Sequence, residues 1–248
     1  MSFGECCIKT FRWEGTPTGK ESTLANNKCY VTGDNKDAAV LIIHDIFGWS
    51  YNNVRLLADH YASEIGATVY VPDFFGGFVV NFEDAENDRF DKIDLAALTK
   101  EQSREVRYPE MLACAKALKA DLGFKRVGTI GFCYGGWAVC QLAAEKSDTP
   151  VVDAISFGHP SWLNKGDIDG LAVPTQVLAP EHDHAYTKEL KSHTFETLLA
   201  KNLAFDYQHF PGVAHGAFIR GSDKHDGERE AMARAKNAAV SWFKLYLK

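Results

Sequence analysis

At 248 residues with 46% hydrophobic side chains, the chain can bury the core of one α/β domain and gives no reason to divide it. Its formal net charge of −6 comes without a basic tract, which sets aside nucleic acid and membranes as partners and leaves small molecules. The segment MSFGECCIKTFRWEG is broken by Glu5, Lys9 and Arg12, so no secretory signal is read, and the longest clean apolar run, Ala38 to Ile43, is far too short for a bilayer.

The six cysteines (Cys6, Cys7, Cys29, Cys114, Cys133 and Cys140) form no paired framework, which fits a reducing, cytoplasmic setting. Adjacent Cys6 and Cys7 lack the spacing of a metal or redox motif. No cofactor is expected, and the sequence is silent on oligomeric state.

In chain order, KCYVTG (28–33) reads as an antiparallel edge strand, followed by core strands AAVLIIH (38–44) and ATVYVPD (67–73). Residues 76–107 are charged and weakly periodic, a lid or binding loop or else a solvated excursion. Met111, Ala115, Leu118 and Leu122 recur at helical spacing, with Pro109 suited to the first turn. Strands RVGTIGF (126–132), VDAISFG (152–158), TQVLAP (175–180) and FDYQHF (205–210) come next. A last helix carries Met232, Ala235, Ala239, Trp242 and Tyr246 on one face. Alternation of this kind predicts an α/β fold, a mostly parallel twisted sheet with helices on both faces.

The segment VGTIGFCYGGWAVCQLAA (127–144) sets Cys133 between Gly131 and Gly135 where a buried strand gives way to a helix. A nucleophile elbow needs that sharp turn, and small residues two before and two after the nucleophile relieve its crowding. The helix start aims backbone N–H groups and its positive dipole end at the sulfur. The bland alternative is a buried structural cysteine, which is how Cys140 reads. A thiol needs a base and an orienting acid. Asp183, in APEHDHAYT, and His215, in FPGVAHGAF, follow successive strands, and nucleophile, acid, histidine is the chain order of α/β-hydrolases.

Taken together, LIIHDIFGW, VPDFFGG, GFCYGG, EHDH and AHGAFIR make the chain resemble the dienelactone hydrolase family of the α/β-hydrolase superfamily over nearly its whole length. The resemblance implies a single α/β-hydrolase domain over 1–248 that cleaves a small ester or lactone. It implies Cys133 as nucleophile, His215 as base and Asp183 as acid, with the N–H groups of Tyr134 and Ile46 as the oxyanion hole. In the family, an acidic residue at the position of Asp45 holds the resting thiol; here it is an aspartate, shorter than the bacterial glutamate. Arg220 matches a family arginine that meets a substrate carboxylate, the alternative being an ion-paired surface arginine. A second such arginine has three competing matches, Arg89, Arg104 and Arg107.

Phe47, Trp49, Phe74, Phe75 and Trp162 follow strand ends and are candidates for an apolar substrate pocket, with His159 as a further lining residue or a structural histidine. His44 reads as core. Glu181 is the rival acid and His209 the rival base, and His182 and His184 form an H-x-H pair without further metal ligands. Two other functional readings stay open. A non-catalytic binding module would keep the fold without needing the triad, and a glutamine amidotransferase-like enzyme would place its acid shortly after the histidine, where Gly216, Ala217 and Phe218 stand.

Overall fold

The computed structural model describes residues 10–87, 89–145 and 150–248, so Cys6 and Cys7 lie outside the described residues. Eight strands form one sheet: β1 (Lys20–Leu24), β2 (Asn27–Thr32), β3 (Ala38–Ile43), β4 (Thr68–Pro72), β5 (Arg126–Phe132), β6 (Ala154–Gly158), β7 (Thr175–His182) and β8 (Phe205–Ala214). Their order is β1-β2-β4-β3-β5-β6-β7-β8. From β4 to β8 every pairing is parallel, whereas β2 runs antiparallel to both β1 and β4. Strands β3 and β6 are buried along their whole length, as central strands of a sheet covered on both faces must be. Each fully buried Leu or Ile there stabilises the fold by about 2 kcal/mol.

The covering helices are α1 (Asn52–Tyr61), α4 (Arg104–Ala120), α5 (Gly135–Ala144), α6 (Lys165–Asp169), α7 (Lys188–Ala200) and, after the short α8 (Ala217–Arg220), α9 (Glu228–Tyr246). Helices α1 and α9 touch each other and the sheet, while α4, α5 and α6 form a second packed row with α7. Among the described residues, no helix is long and apolar enough to cross a membrane.

Three departures from the sequence reading have physical causes. The predicted edge strand is not the edge: β1 pairs outside it, joined through a turn at Ala25 and Asn26, both with positive φ. Strand β1 escapes pattern reading because four of its five residues are exposed. Pro109 sits inside α4 rather than in its first turn, removing one internal donor without ending the helix. Residues 76–107 hold two short helices, α2 (Phe82–Glu86) and α3 (Leu95–Glu101), and the first residues of α4. Asn81 and Asp94 cap α2 and α3 through their side chains.

A fourth difference positions the site. Strands β7 and β8 both run past their predicted ends, through a register shift between Pro180 and His182, to pair His182 with Ala214. Pro211 and Gly212 look like a terminating turn in sequence, but a bulge accommodates both. The extension leaves Asp183 and His215 side by side just beyond the paired ends, with His215 N–H donating to His182 O at 3.0 Å.

Candidate active site

Every residue of the site follows the carboxyl end of a parallel strand, the rim where open α/β sheets place their chemistry. Asp45 and Ile46 follow β3, Cys133 follows β5, His159 and Ser161 follow β6, Asp183 follows β7 and His215 follows β8. Backbone bonds stitch these ends together: Cys133 N–H to Gly158 O at 3.2 Å, Ser161 N–H to Cys133 O at 2.8 Å and His159 N–H to Leu178 O at 3.3 Å.

Cys133 itself has φ +49°, a left-handed conformation that costs a non-glycine residue energy and recurs at nucleophile elbows. The flanking glycines make it attainable. A Cβ on Gly131 would press on Gly135 O, one on Gly135 on Ile43 O, and one on Gly136 on Pro160, all well inside 3.0 Å. Helix α5 starts at once at Gly135, so its first N–H groups have no partner within the helix.

The structure brings Cys133, His215 and Asp183 into one chain of contacts. Cys133 Sγ lies 3.2 Å from His215 Nε2, and His215 Nδ1 lies 3.0 Å from Asp183 Oδ1. A carboxylate can only accept, so Nδ1 carries the proton and Nε2 faces the thiol ready to take one. Asp183 Oδ1 also accepts the N–H groups of Ala185 and Tyr186, each at 2.9 Å. Burial works to raise the Asp183 pKa, but the hydrogen bond and charge of His215, with the Tyr186 N–H, prevail and hold it below the usual carboxylate value. The acid stays ionised and aligned.

Sequence reasoning missed Ser161. Its hydroxyl sits 3.4 Å from Cys133 Sγ and 3.5 Å from His215 Nε2, in the notch between thiol and imidazole. Its only signal in sequence is its place in the loop after β6, two residues beyond the His159 that drew attention. Cys133 is 2% exposed, so its sulfur faces a narrow, largely buried cavity.

That cavity is lined by Thr10, Asp45, Phe47, Tyr51, Cys133, His159, His215, Gly216, Ile219 and Arg220 and leaves about 10 Å³ for the centre of a water-sized sphere, room for roughly one water. An open groove of about 680 Å³ adjoins it, sharing Phe47 and Tyr51 and continuing along Arg12, Trp13, Val80 and Phe82. The rings of Phe47, Tyr51 and Phe82 lie 5.0–5.9 Å apart, and the Arg12 guanidinium stands 4.7 Å over Phe82.

Of the expected pocket aromatics, only Phe47 reaches the cavity. Trp49 is turned under the Arg55 guanidinium at 4.7 Å, Phe74 stacks on His44, and Trp162 packs edge-on against Tyr134. Phe75 likewise meets Tyr134. His44 is structural: Nδ1–H donates to Asp45 O at 2.7 Å and Nε2 accepts from Phe74 N–H at 3.2 Å, tying the β3 and β4 loops together. Burial lowers its pKa to about 4. Asp45 lines the cavity with its Oδ1 taking Phe47 N–H at 2.9 Å, while the thiol contacts seen among the described residues are to Ser161 and His215. Ile46 is fully buried in the same loop, and the Tyr134 hydroxyl donates to Gln102 O.

Arg220 reaches the cavity wall with its fork already occupied. Nε and Nη2 donate to the two carboxylate oxygens of Glu228, each at 2.7 Å, and both side chains are buried. That pairing matches the ion-paired alternative, here with a buried partner, while Arg220 still lines the cavity. The three competing arginines are committed as well: Arg89 to Asp84, Arg104 to both oxygens of Asp167, and Arg107 to Gln102 and Glu110.

Glu181 points outward to accept Gly212 N–H, and His209 is exposed on β8, so neither approaches Cys133. Of the H-x-H pair, His182 lies on the surface beside Glu181. His184 joins Asp183 and His215 in the grouping whose potential ligand atoms lie within 4.8 Å, but the oxygen and nitrogen linking Asp183 and His215 are spent on each other. Cys29, Cys114 and Cys140 are free and buried away from the cavity. Burial pushes the Cys114 thiol up to about 12 and raises Cys29 and Cys140 also.

Comparison with known proteins points one way. The family model described as the dienelactone hydrolase family matches residues 28–247. A hydrolase of Talaromyces stipitatus, tropI, is 30% identical over 98% of this chain and 96% of its own. The human carboxymethylenebutenolidase homolog is 28% identical over 97% of this chain and 96% of its own. A dienelactone hydrolase structure from Anabaena variabilis superposes with a TM-score of 0.63 at 16% identity, covering 93% of this chain and 98% of that one, a likeness of fold.

Proposed function

The chain belongs to the dienelactone hydrolase family, and we propose that, as a hydrolase of this kind, it cleaves a small carboxylic ester or lactone through a thioester on Cys133. The observation that carries this reading is the run of contacts from Cys133 Sγ through His215 to Asp183. His215 Nε2 takes the thiol proton as the thiolate attacks the carbonyl carbon. Tyr134 N–H, at the start of α5, and Ile46 N–H, after β3, stabilise the oxyanion. Collapse of the tetrahedral adduct expels the alkoxide, which takes the proton from His215; a lactone opens at this step and stays attached. Water then gives a proton to His215 and attacks the thioester, releasing the acid and restoring the thiol. Side chains, backbone and water suffice for every step.

The names of relatives, dienelactone hydrolase and carboxymethylenebutenolidase homolog, support a lactone as one substrate form. Phe47 and the groove beyond it, which share a boundary with the cavity, suit the apolar remainder of the substrate. The amidotransferase reading fits less well, because the acid precedes the histidine by 32 residues. Hydrolysis of p-nitrophenyl acetate tests the proposal: wild type turns over, Cys133→Ala falls to the uncatalysed rate, and equal rates from both contradict it.

A further inference from the structure

His159 is fully buried, its ring lines the cavity beside Cys133, and neither ring nitrogen has a hydrogen-bond partner. The ring meets His215 edge-on at 5.0 Å and is braced by Phe132 at 5.7 Å and Phe218 at 5.3 Å. Its backbone is left-handed, φ +37°, a conformation a β-substituted residue holds only under constraint. Buried polar atoms without partners are rare in native proteins, and at an active site they are often groups that a ligand completes. His159 therefore behaves as half of an interaction.

The rest of the wall limits what the other half is. Arg220 is the one arginine or lysine among the described lining residues, and Glu228 cancels it with two hydrogen bonds. Asp45 adds a carboxylate to the same wall. Among the described lining residues, a substrate carboxylate placed here would meet an arginine already paired with Glu228 and the carboxyl group of Asp45 on the same wall. Burial, with the nearby His215, holds the His159 pKa well below the ordinary histidine value, so the ring is neutral and presents one N–H donor and one bare acceptor. A carbonyl or carboxylate oxygen satisfies only the donor, whereas a hydroxyl satisfies either.

We infer that His159 is a specificity-determining residue that hydrogen-bonds an uncharged hydroxyl one or two carbons from the reacting carbonyl, so that the substrate class is a neutral hydroxylated ester or lactone and not a carboxylate-bearing one. This rests on the ester-hydrolase reading above and sharpens it. The site selects by a hydrogen bond where an open arginine would select by charge.

The test compares kcat/KM of the wild-type protein on four phenyl esters: butanoate, 2-hydroxybutanoate, 3-hydroxybutanoate and monophenyl succinate. One of the hydroxy esters exceeds the butanoate by about tenfold, the effect of one neutral hydrogen bond, and the succinate falls below the butanoate. In His159→Phe the hydroxy-to-plain ratio collapses toward one, and His159→Asn, which restores a donor and an acceptor, recovers part of it. A preference for the succinate, or a hydroxy-to-plain ratio near one in the wild type, overturns the inference while leaving the hydrolase reading intact. Failure to cleave any of the four overturns both.

Discussion

Cys133 Sγ and His215 Nε2 meet at 3.2 Å although 82 residues separate them in the chain. The contact exists because β5 and β8 both end at the same rim of the sheet, one in a strained elbow and the other beyond a bulge. Both ends are accessible to mutation.

Replacing His215 by Ala removes the imidazole in contact with the sulfur, and ester hydrolysis falls by about three orders of magnitude or more. Asp183→Ala removes both the oxygen that accepts Nδ1–H and the negative charge that stabilises a protonated His215. Its loss is comparable. Steady-state rates on p-nitrophenyl acetate decide this, and a variant within tenfold of wild type removes that residue from the mechanism.

The elbow depends on the absence of side chains at Gly131, Gly135 and Gly136. In Gly135→Ala the added Cβ meets Ile43 O, a backbone atom that cannot swing aside. Such overpacking destabilises by about 1–3 kcal/mol, read as a lower guanidinium midpoint, and displaces Cys133 from His215, read as lost activity. Gly212→Ala provides the contrast: no atom lies within 4 Å of its Cβ, so only its φ of +76° resists the change. Equal effects at the two sites would remove the steric account of the elbow.

The buried pair of Arg220 and Glu228 belongs to stability in this account. Arg220→Ala strands a buried carboxylate and costs about 3–5 kcal/mol, while a double Arg220→Met, Glu228→Leu variant loses less than either single change. Chemical denaturation measures all three. Unchanged stability in Arg220→Ala, with KM raised only for carboxylate-bearing esters, would return the arginine to substrate binding.

Stability also depends on pH through His44. Its folded pKa of about 4 lies below the unfolded value of about 6.5, so between them the unfolded chain binds more protons and stability falls as pH falls. From pH 7 to pH 4.5 this one group accounts for a loss of about 2–3 kcal/mol, and His159 acts in the same direction. His44→Gln reduces the difference between guanidinium midpoints at the two pH values. An undiminished difference would mean that His44 is not the group responsible.

Much of this was legible in the residues because burial on both faces leaves long apolar runs, which located β3 to β6 nearly to the residue. The geometry of the candidate site was legible for a related reason: glycines at 131 and 135 mark the tight strand-to-helix turn that carries Cys133. What stayed hidden depends on partners distant in sequence. Glu228 is unremarkable at the start of a helix, yet it decides what Arg220 does. Ser161 and the unpartnered ring of His159 acquire meaning only when β6 is placed beside β5. Trp49, Phe74 and Trp162 follow strand ends as expected, but the direction of an aromatic side chain is set by neighbours such as Arg55, His44 and Tyr134.

Cysteine alkylation separates reactive from structural thiols. Cys133 alone of the four described cysteines touches a histidine and borders the cavity, so iodoacetamide near neutral pH modifies it before Cys29, Cys114 or Cys140. Peptide mapping reads the order. Prior substrate-analogue binding slows the modification of Cys133, and earlier modification of Cys140 would mean that the elbow thiol is not activated.

The most direct measurement is to quench the protein in acid during turnover of an activated ester and to locate the acyl group by peptide mass spectrometry. The account predicts an acyl adduct on Cys133, released by hydroxylamine and absent from Cys133→Ala. An adduct on Ser161, or continued turnover in Cys133→Ala at the wild-type rate, would contradict it.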